Sequence, residues 1–249
     1  MKAIPQEKPS DIQKAWVDTG YFTWKDSTKT ALHITALGAK QEYLPDVSDG
    51  EQLTDVSFMF SDFQEQDKLL FDDFIMLRKL PIFNTSNVTN FSHMFHFCIY
   101  LDTLPSLNTK KGTDFSWMIT DCGSLKYVSL FDTSNGENFN YMFKGCPYLI
   151  DVPLYETSKG ISFEGMFMDC HSLKNVPLLN TSNSANFNSM FVACLKLQKA
   201  PKFDTRKGLD FALMFYDCRS LQEKTDFEIL PEANISYMYE NTPFGNREE

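Results

Sequence analysis

Residues 172–218 read SLKNVPLLNTSNSANFNSMFVACLKLQKAPKFDTRKGLDFALMFYDC, and two segments of this stretch end in the same Met-Phe-x-x-Cys, 24 residues apart. The spacing is not local. Met94, Met118, Met142, Met166, Met190, Met214 and Met238 follow one another at 24 residues without a slip. Three residues before each stands Phe91, Phe115, Phe139, Phe163, Phe187, Phe211 and finally Ile235. All six cysteines (Cys98, Cys122, Cys146, Cys170, Cys194, Cys218) fall in one column of the register. Leu101, Leu125, Leu149, Leu173, Leu197 and Leu221 form another, and Thr85, Thr109, Thr133, Thr157, Thr181 and Thr205 a third. A fixed period of this length marks a solenoid.

Twenty-four residues cannot enclose a core alone, so each unit buries its apolar columns by stacking on its neighbours. Each fully buried side chain contributes about 1.5–3 kcal/mol. No apolar stripe of helical period lasts beyond about two turns, and Asn, Thr, Ser, Gly and Pro punctuate every unit. The expected architecture is therefore a repeat solenoid, mainly β, with short turns or helical corners. Pro81, Pro105, Pro153, Pro177 and Pro201 share a column broken only by Ser129. A strand should end at or before it, because proline donates no ladder bond. The NTSN, DTSN and ETSK segments that follow read as turns. Some seven coils at about 4.8 Å give a rod roughly 35 Å long.

The recurrent motif, as in FNTSNVTNFSHMFHFC at 83–98, resembles the BspA-like, Mycoplasma-type leucine-rich repeat of bacterial surface proteins, whose hallmark is FDTSNVTNMSxMFxxC. The resemblance covers about residues 51–239. It implies a right-handed leucine-rich-repeat-type solenoid acting as an adhesin or receptor-binding surface, and it supplies no catalytic residue.

The expected organisation has three parts. Residues 1–50 lie outside the repeat and form a cap or a docking region, with strand-like YFTW and LHITAL segments and an acidic, turn-rich PDVSDGEQ linker. Residues 51–239 form the solenoid, of which 51–81 are a degenerate opening coil carrying an insertion. Residues 240–249 are a tail.

The cysteines have three readings: a disulfide framework, a metal site or a buried ladder. Even spacing in one column, with side chains pointing in parallel, favours stacked, reduced thiols over bridges. No C-x-x-C pair suggests zinc. A reducing compartment of synthesis follows. His33, His93, His96 and His171 form no motif-spaced group, and neither a nucleophile elbow, a phosphate loop nor an H-E-x-x-H is present. An enzyme, a metal and a cofactor are not expected.

The net charge of −10 argues against a nucleic-acid partner. No run of 18 apolar residues suggests membrane insertion. The opening MKAIPQEKPSDIQKAW has no apolar centre and no lipobox cysteine, so no signal peptide is expected. Function should sit where the repeat does not dictate the residue. One such column precedes each methionine: Phe58, His93, Trp117, Tyr141, Gly165, Ser189, Leu213, Tyr237. Its aromatics, with Tyr100, Tyr127 and Tyr148, are candidate flat contacts for a protein or glycan, or else fillers between coils. The strongest candidates are Trp117, Tyr141, His93, Tyr127 and Tyr148.

The expected function is non-enzymatic recognition or adhesion. The partner would be a host-cell surface receptor or other virion proteins, in a phage fibre, collar or tail-tip component exposed by assembly. A structural cementing or spacer role and an ordinary cell-surface adhesin are the alternatives.

Overall fold

The structure, a computed structural model, describes residues 22–24, 32–34, 53–56, 59–61, 76–79 and 84–245. Phe58, most of residues 1–50 and the insertion expected before the second coil lie outside these residues. Two short strands, β1 (Phe22–Trp24) and β2 (Leu32–Ile34), pair antiparallel with Phe22 opposite Ile34. They coincide with the strand-like YFTW and LHITAL segments. Among the described residues these are the only regular strands, and no helix occurs.

From Asp55 onward the chain is a parallel ladder of isolated bridges. Asp55 pairs with Asn90, then Asn90 with Asp114, Asp114 with Asn138, Asn138 with Ser162, and so on to Asn234. Each coil donates alternate backbone N–H groups to the next. Phe115, Trp117, Ile119 and Asp121 reach the carbonyls of Asn138, Asn140, Met142 and Lys144 at 3.0, 2.9, 2.9 and 2.8 Å. Among the described residues one further parallel bridge joins Lys79 and Thr103, two residues before Pro105. There the missing proline donor removes nothing.

The expectation of strands in the solenoid needs correction. Two residues per coil have positive φ: the one before Met and the one before Cys. Thus His93 (53°) and Phe97 (64°) are followed by Trp117 (57°) and Asp121 (56°), then by Tyr141 (56°) and Gly145 (67°). Met94 N–H closes on the Phe91 carbonyl and Cys98 N–H on that of Phe95. A left-handed residue at the third position of a four-residue turn is the type II arrangement. Phe-x-x-Met-Phe-x-x-Cys is therefore two consecutive turns, neither strand nor helix, and it brings both Phe and Met inward.

The repeated columns form the core. Phe91, Phe115, Phe139 and Phe163 stack face to face at 5.5, 5.8 and 5.4 Å, and the Met, Leu and Cys columns beside them are buried. The rings leave little room elsewhere: a Cβ at Gly160 would lie 2.6 Å from Phe163. All six cysteines are free and buried. Each thiol donates to a carbonyl of the preceding coil, as Cys146 does to Ile119 at 3.0 Å and Cys170 to Phe143 at 3.1 Å. The Thr column is a hydroxyl spine: Thr109 donates to the Asp132 carbonyl at 2.8 Å and Thr157 to that of Asn180 at 2.9 Å.

The Asx positions of the TSN turns accept the N–H two residues on, as Asn180 does from Ser182. A second Asx row follows the bridges, with Asp114 accepting from Ser116 and Asn186 from Asn188. Ser162 breaks that row, and its Oγ is the one buried side-chain polar atom without a hydrogen-bond partner among the described residues. Asn140 of the preceding coil compensates, accepting Glu164 N–H at 3.0 Å. At the other end of the ladder Ile34 is buried and donates its N–H to the Met59 carbonyl at 2.9 Å.

Three outcomes are expected. Phe139→Ala, which removes a ring stacked on both faces, lowers the unfolding free energy by about 3–5 kcal/mol in denaturant titration; Thr133→Val, which removes the hydroxyl that donates to the Glu156 carbonyl, lowers it by about 1 kcal/mol. Burial holds the Cys122, Cys170 and Cys194 thiols well above their ordinary value and pushes Cys218 up to about 12. Below the unfolded value of about 8.5 thiols are protonated in both states and stability is full. As pH rises through it the unfolded chain loses protons that the folded chain keeps, so the thermal midpoint falls.

Candidate binding surface

The left-handed column before each methionine decides what the surface presents. At that backbone angle a residue with a bulky side chain is an outlier, and glycine, aspartate or asparagine is the relaxed choice. The companion column before each cysteine follows that rule in most coils, with Asp121, Gly145, Asp169, Asp217 and Asn241. The column before methionine does so only at Gly165; His93, Trp117, Tyr141, Leu213 and Tyr237 are large.

Three of these side chains meet. His93 lies parallel to Trp117 at 5.6 Å, and Trp117 stacks on Tyr141 at 4.2 Å. Tyr141 in turn covers Gly165, where an added Cβ would collide with its ring. The row is partly buried. Its polar rim is organised. Lys144 Nζ lies 5.1 Å from the Trp117 ring centre and 5.7 Å from that of Tyr141. The Tyr141 hydroxyl donates to Glu164, whose other oxygen accepts from Asn186 at 3.1 Å. Burial first, and then that hydrogen bond, push the Tyr141 hydroxyl above its ordinary range, so it stays a donor. His96, buried beneath, has Nδ1 at 3.1 Å from Nδ1 of His93 and Nε2 at 3.5 Å from Asp121.

The structure therefore brings His93, Trp117 and Tyr141 together. It keeps Tyr127 and Tyr148 apart from them: both are exposed, at 64% and 59%, and among the described residues no ring stacks on either. Tyr100, at 40%, shares the column of Tyr148 two coils away. Reading by column missed Lys144 and Glu164, which sit at positions where other coils carry unrelated residues. The broken Asx row at Ser162 and the glycine at 165 were the signals that this part of the array is irregular.

Stacking also changes what the row offers. Both faces of Trp117 are occupied by neighbouring rings, and one face of Tyr141 lies on Gly165. Edges, the indole rim and the Lys144 and Glu164 polar atoms remain for a partner. Among the described residues no group of three or more His, Cys, Asp or Glu side chains is placed to hold a metal ion, and no helix is long and apolar enough to cross a membrane.

No curated protein matches the chain. A solved structure, a leucine-rich repeat protein from Eubacterium ventriosum ATCC 27560, is 17% identical with a TM-score of 0.45 over 91% of this chain. The match covers 51% of that protein, so the chain spans about half its length. The family described as Mycoplasma protein of unknown function, DUF285, matches residues 54–177 and 148–248, which together take in every coil of the ladder from Asp55 to Asn234. Period, motif and family match agree, and the chain belongs to this BspA-like repeat family.

Proposed function

We propose that the chain is a non-enzymatic recognition module that binds a protein partner, with the His93–Trp117–Tyr141 row as its contact centre and residues 1–50 as cap or docking region. One observation carries this reading. Three bulky rings occupy left-handed backbone positions that cost about 1–3 kcal/mol each, in a column where Gly165 shows that the coil accepts glycine. Stacking returns about 0.5–1.5 kcal/mol per ring pair beyond the area it buries, and Gly165 and Ser189 show that the coil closes without a ring. Strain of this kind collects at functional sites.

The choice of a protein over a glycan follows from the ring faces. Sugars pack on open aromatic faces, and here both faces of Trp117 and Tyr141 are covered. A rim of tryptophan, tyrosine and paired polar groups suits the centre of a protein interface. Ile34, buried against the first coil, supports the capping role of the amino-terminal region.

The test compares wild type with a variant carrying His93→Gly, Trp117→Gly and Tyr141→Gly. Each change relaxes the backbone, so the thermal midpoint should stay within a few degrees, about 1 kcal/mol. Immobilised wild type should retain a defined set of surface proteins from cells of the native source, and the variant should lose them. Equal capture by both proteins would contradict the reading. Glycan-array binding that depends on Trp117 would replace the protein partner with a sugar.

A further inference from the structure

A second surface lies on another part of the coil. Leu130, Leu154 and Leu178 are spaced by 24 residues, so they occupy one position in three successive coils, and each is 61–68% exposed. The same column is polar on both sides, with Ser106 before the row and Lys202 after it. The leucines alternate with inward-facing Leu107, Phe131, Tyr155 and Leu179, all buried. This is strand-like in-and-out patterning, and it does not require a large apolar side chain on the outside. Leu130 and Leu154 line a groove of about 510 Å³ whose rim carries Asp132 and Glu156.

Those carboxylates are fixed and charged. Ser134 N–H donates to Asp132 at 3.1 Å and Ser158 N–H to Glu156 at 2.9 Å. Hydrogen bonds to the serines hold both acids below their ordinary range. Neither takes part in an ion pair among the described residues. An apolar row bordered by unpaired negative charge calls for a partner that is apolar on one face and cationic beside it.

Spacing selects its backbone. Successive leucines are one coil apart, about 4.8 Å. A helix places a side chain on one face every turn, about 5.4 Å, and follows three coils with an offset of little more than 1 Å. A strand along the axis repeats on one face every 6.6–6.8 Å and falls out of step by the third leucine. We propose that the Leu130–Leu154–Leu178 row, with Asp132 and Glu156, is a docking groove for a basic amphipathic helix of a partner protein, aligned with the solenoid axis. The proposal is independent of the aromatic row.

The probe is a synthetic amphipathic Leu/Lys peptide of about five helical turns, titrated onto the full chain by fluorescence anisotropy at physiological salt. Two controls have the same length: a Leu/Lys peptide in strictly alternating order, which favours a strand, and a helical Leu/Glu peptide. The neutral variant Leu130→Ser, Leu154→Ser, Leu178→Ser keeps the net charge, and Ser106 shows that the column accepts serine. Asp132→Asn with Glu156→Asn removes charge at a position where Asn108 and Asn180 already serve the turn.

The expected result is saturable binding of the helical Leu/Lys peptide, weakened at least tenfold by either set of changes, and at least tenfold weaker binding of both control peptides. Binding that survives the leucine changes would overturn the groove. Equal binding of the alternating peptide would overturn the helix. A dimer in sedimentation that the serine variant dissolves would show the row to be a self-association surface instead, and serine-sensitive binding to anionic vesicles would make it a membrane contact. The His93, Trp117 and Tyr141 glycine variant should bind the peptide as wild type does.

Discussion

The backbone bond from one coil to the next sets the terms for everything else in this molecule. In each coil alternate N–H groups, such as those of Phe115, Trp117 and Ile119, must find carbonyls 23 residues further on. From Asn90 onward every bridge of this ladder joins residues 24 apart, and the Met, Phe, Cys and Thr columns keep step with it. Because each coil touches only its neighbours, stability accumulates as a sum of nearly equal interfaces. Like residues then meet like: phenylalanine stacks on phenylalanine, thiol lies above thiol, and each threonine hydroxyl meets the carbonyl of the residue before the next.

The same constraint makes the surface. Closing a coil with two tight turns requires two left-handed residues, and the chain answers differently at each. Before cysteine it uses mostly aspartate, glycine and asparagine. Before methionine it tolerates histidine, tryptophan, tyrosine and leucine. Stacking brings three of those rings together, so a row of rings is the natural form of any aromatic site on this scaffold. A ladder of leucines is the natural form of an apolar one. The two rows differ in physics: the first is strained, partly buried and rimmed with paired polar groups, and the second is relaxed, exposed and bordered by carboxylates.

Much of this was legible in the sequence. The period, the columns, the coil-by-coil stacking and the union of His93, Trp117 and Tyr141 all follow from counting in 24s. The turn geometry was not legible, because its usual markers are hidden. Bulky rings stand where a left-handed residue would ordinarily announce itself as glycine, and only Gly145 and Gly165 show the pattern openly. Tyr127 and Tyr148, a second set in the sequence, lie in columns of their own, and the structure keeps them exposed and apart from the row. The leucine row escaped for the opposite reason: leucine at a regular spacing reads as core until the alternation with Phe131 and Tyr155 is resolved.

Residue-level amide hydrogen exchange tests the coil ladder most directly. The N–H groups of Phe115, Trp117, Ile119 and Asp121, and their counterparts 24 residues on, should be the slowest in the chain, with the longer turn bonds of Met118 and Thr120, at 3.3 Å, exchanging faster than these. Exposed Tyr127 should exchange quickly as well. Exchange at Ile119 as fast as at Tyr127, or faster exchange at Phe115, Trp117 and Ile119 than at Met118 and Thr120, would contradict the ladder.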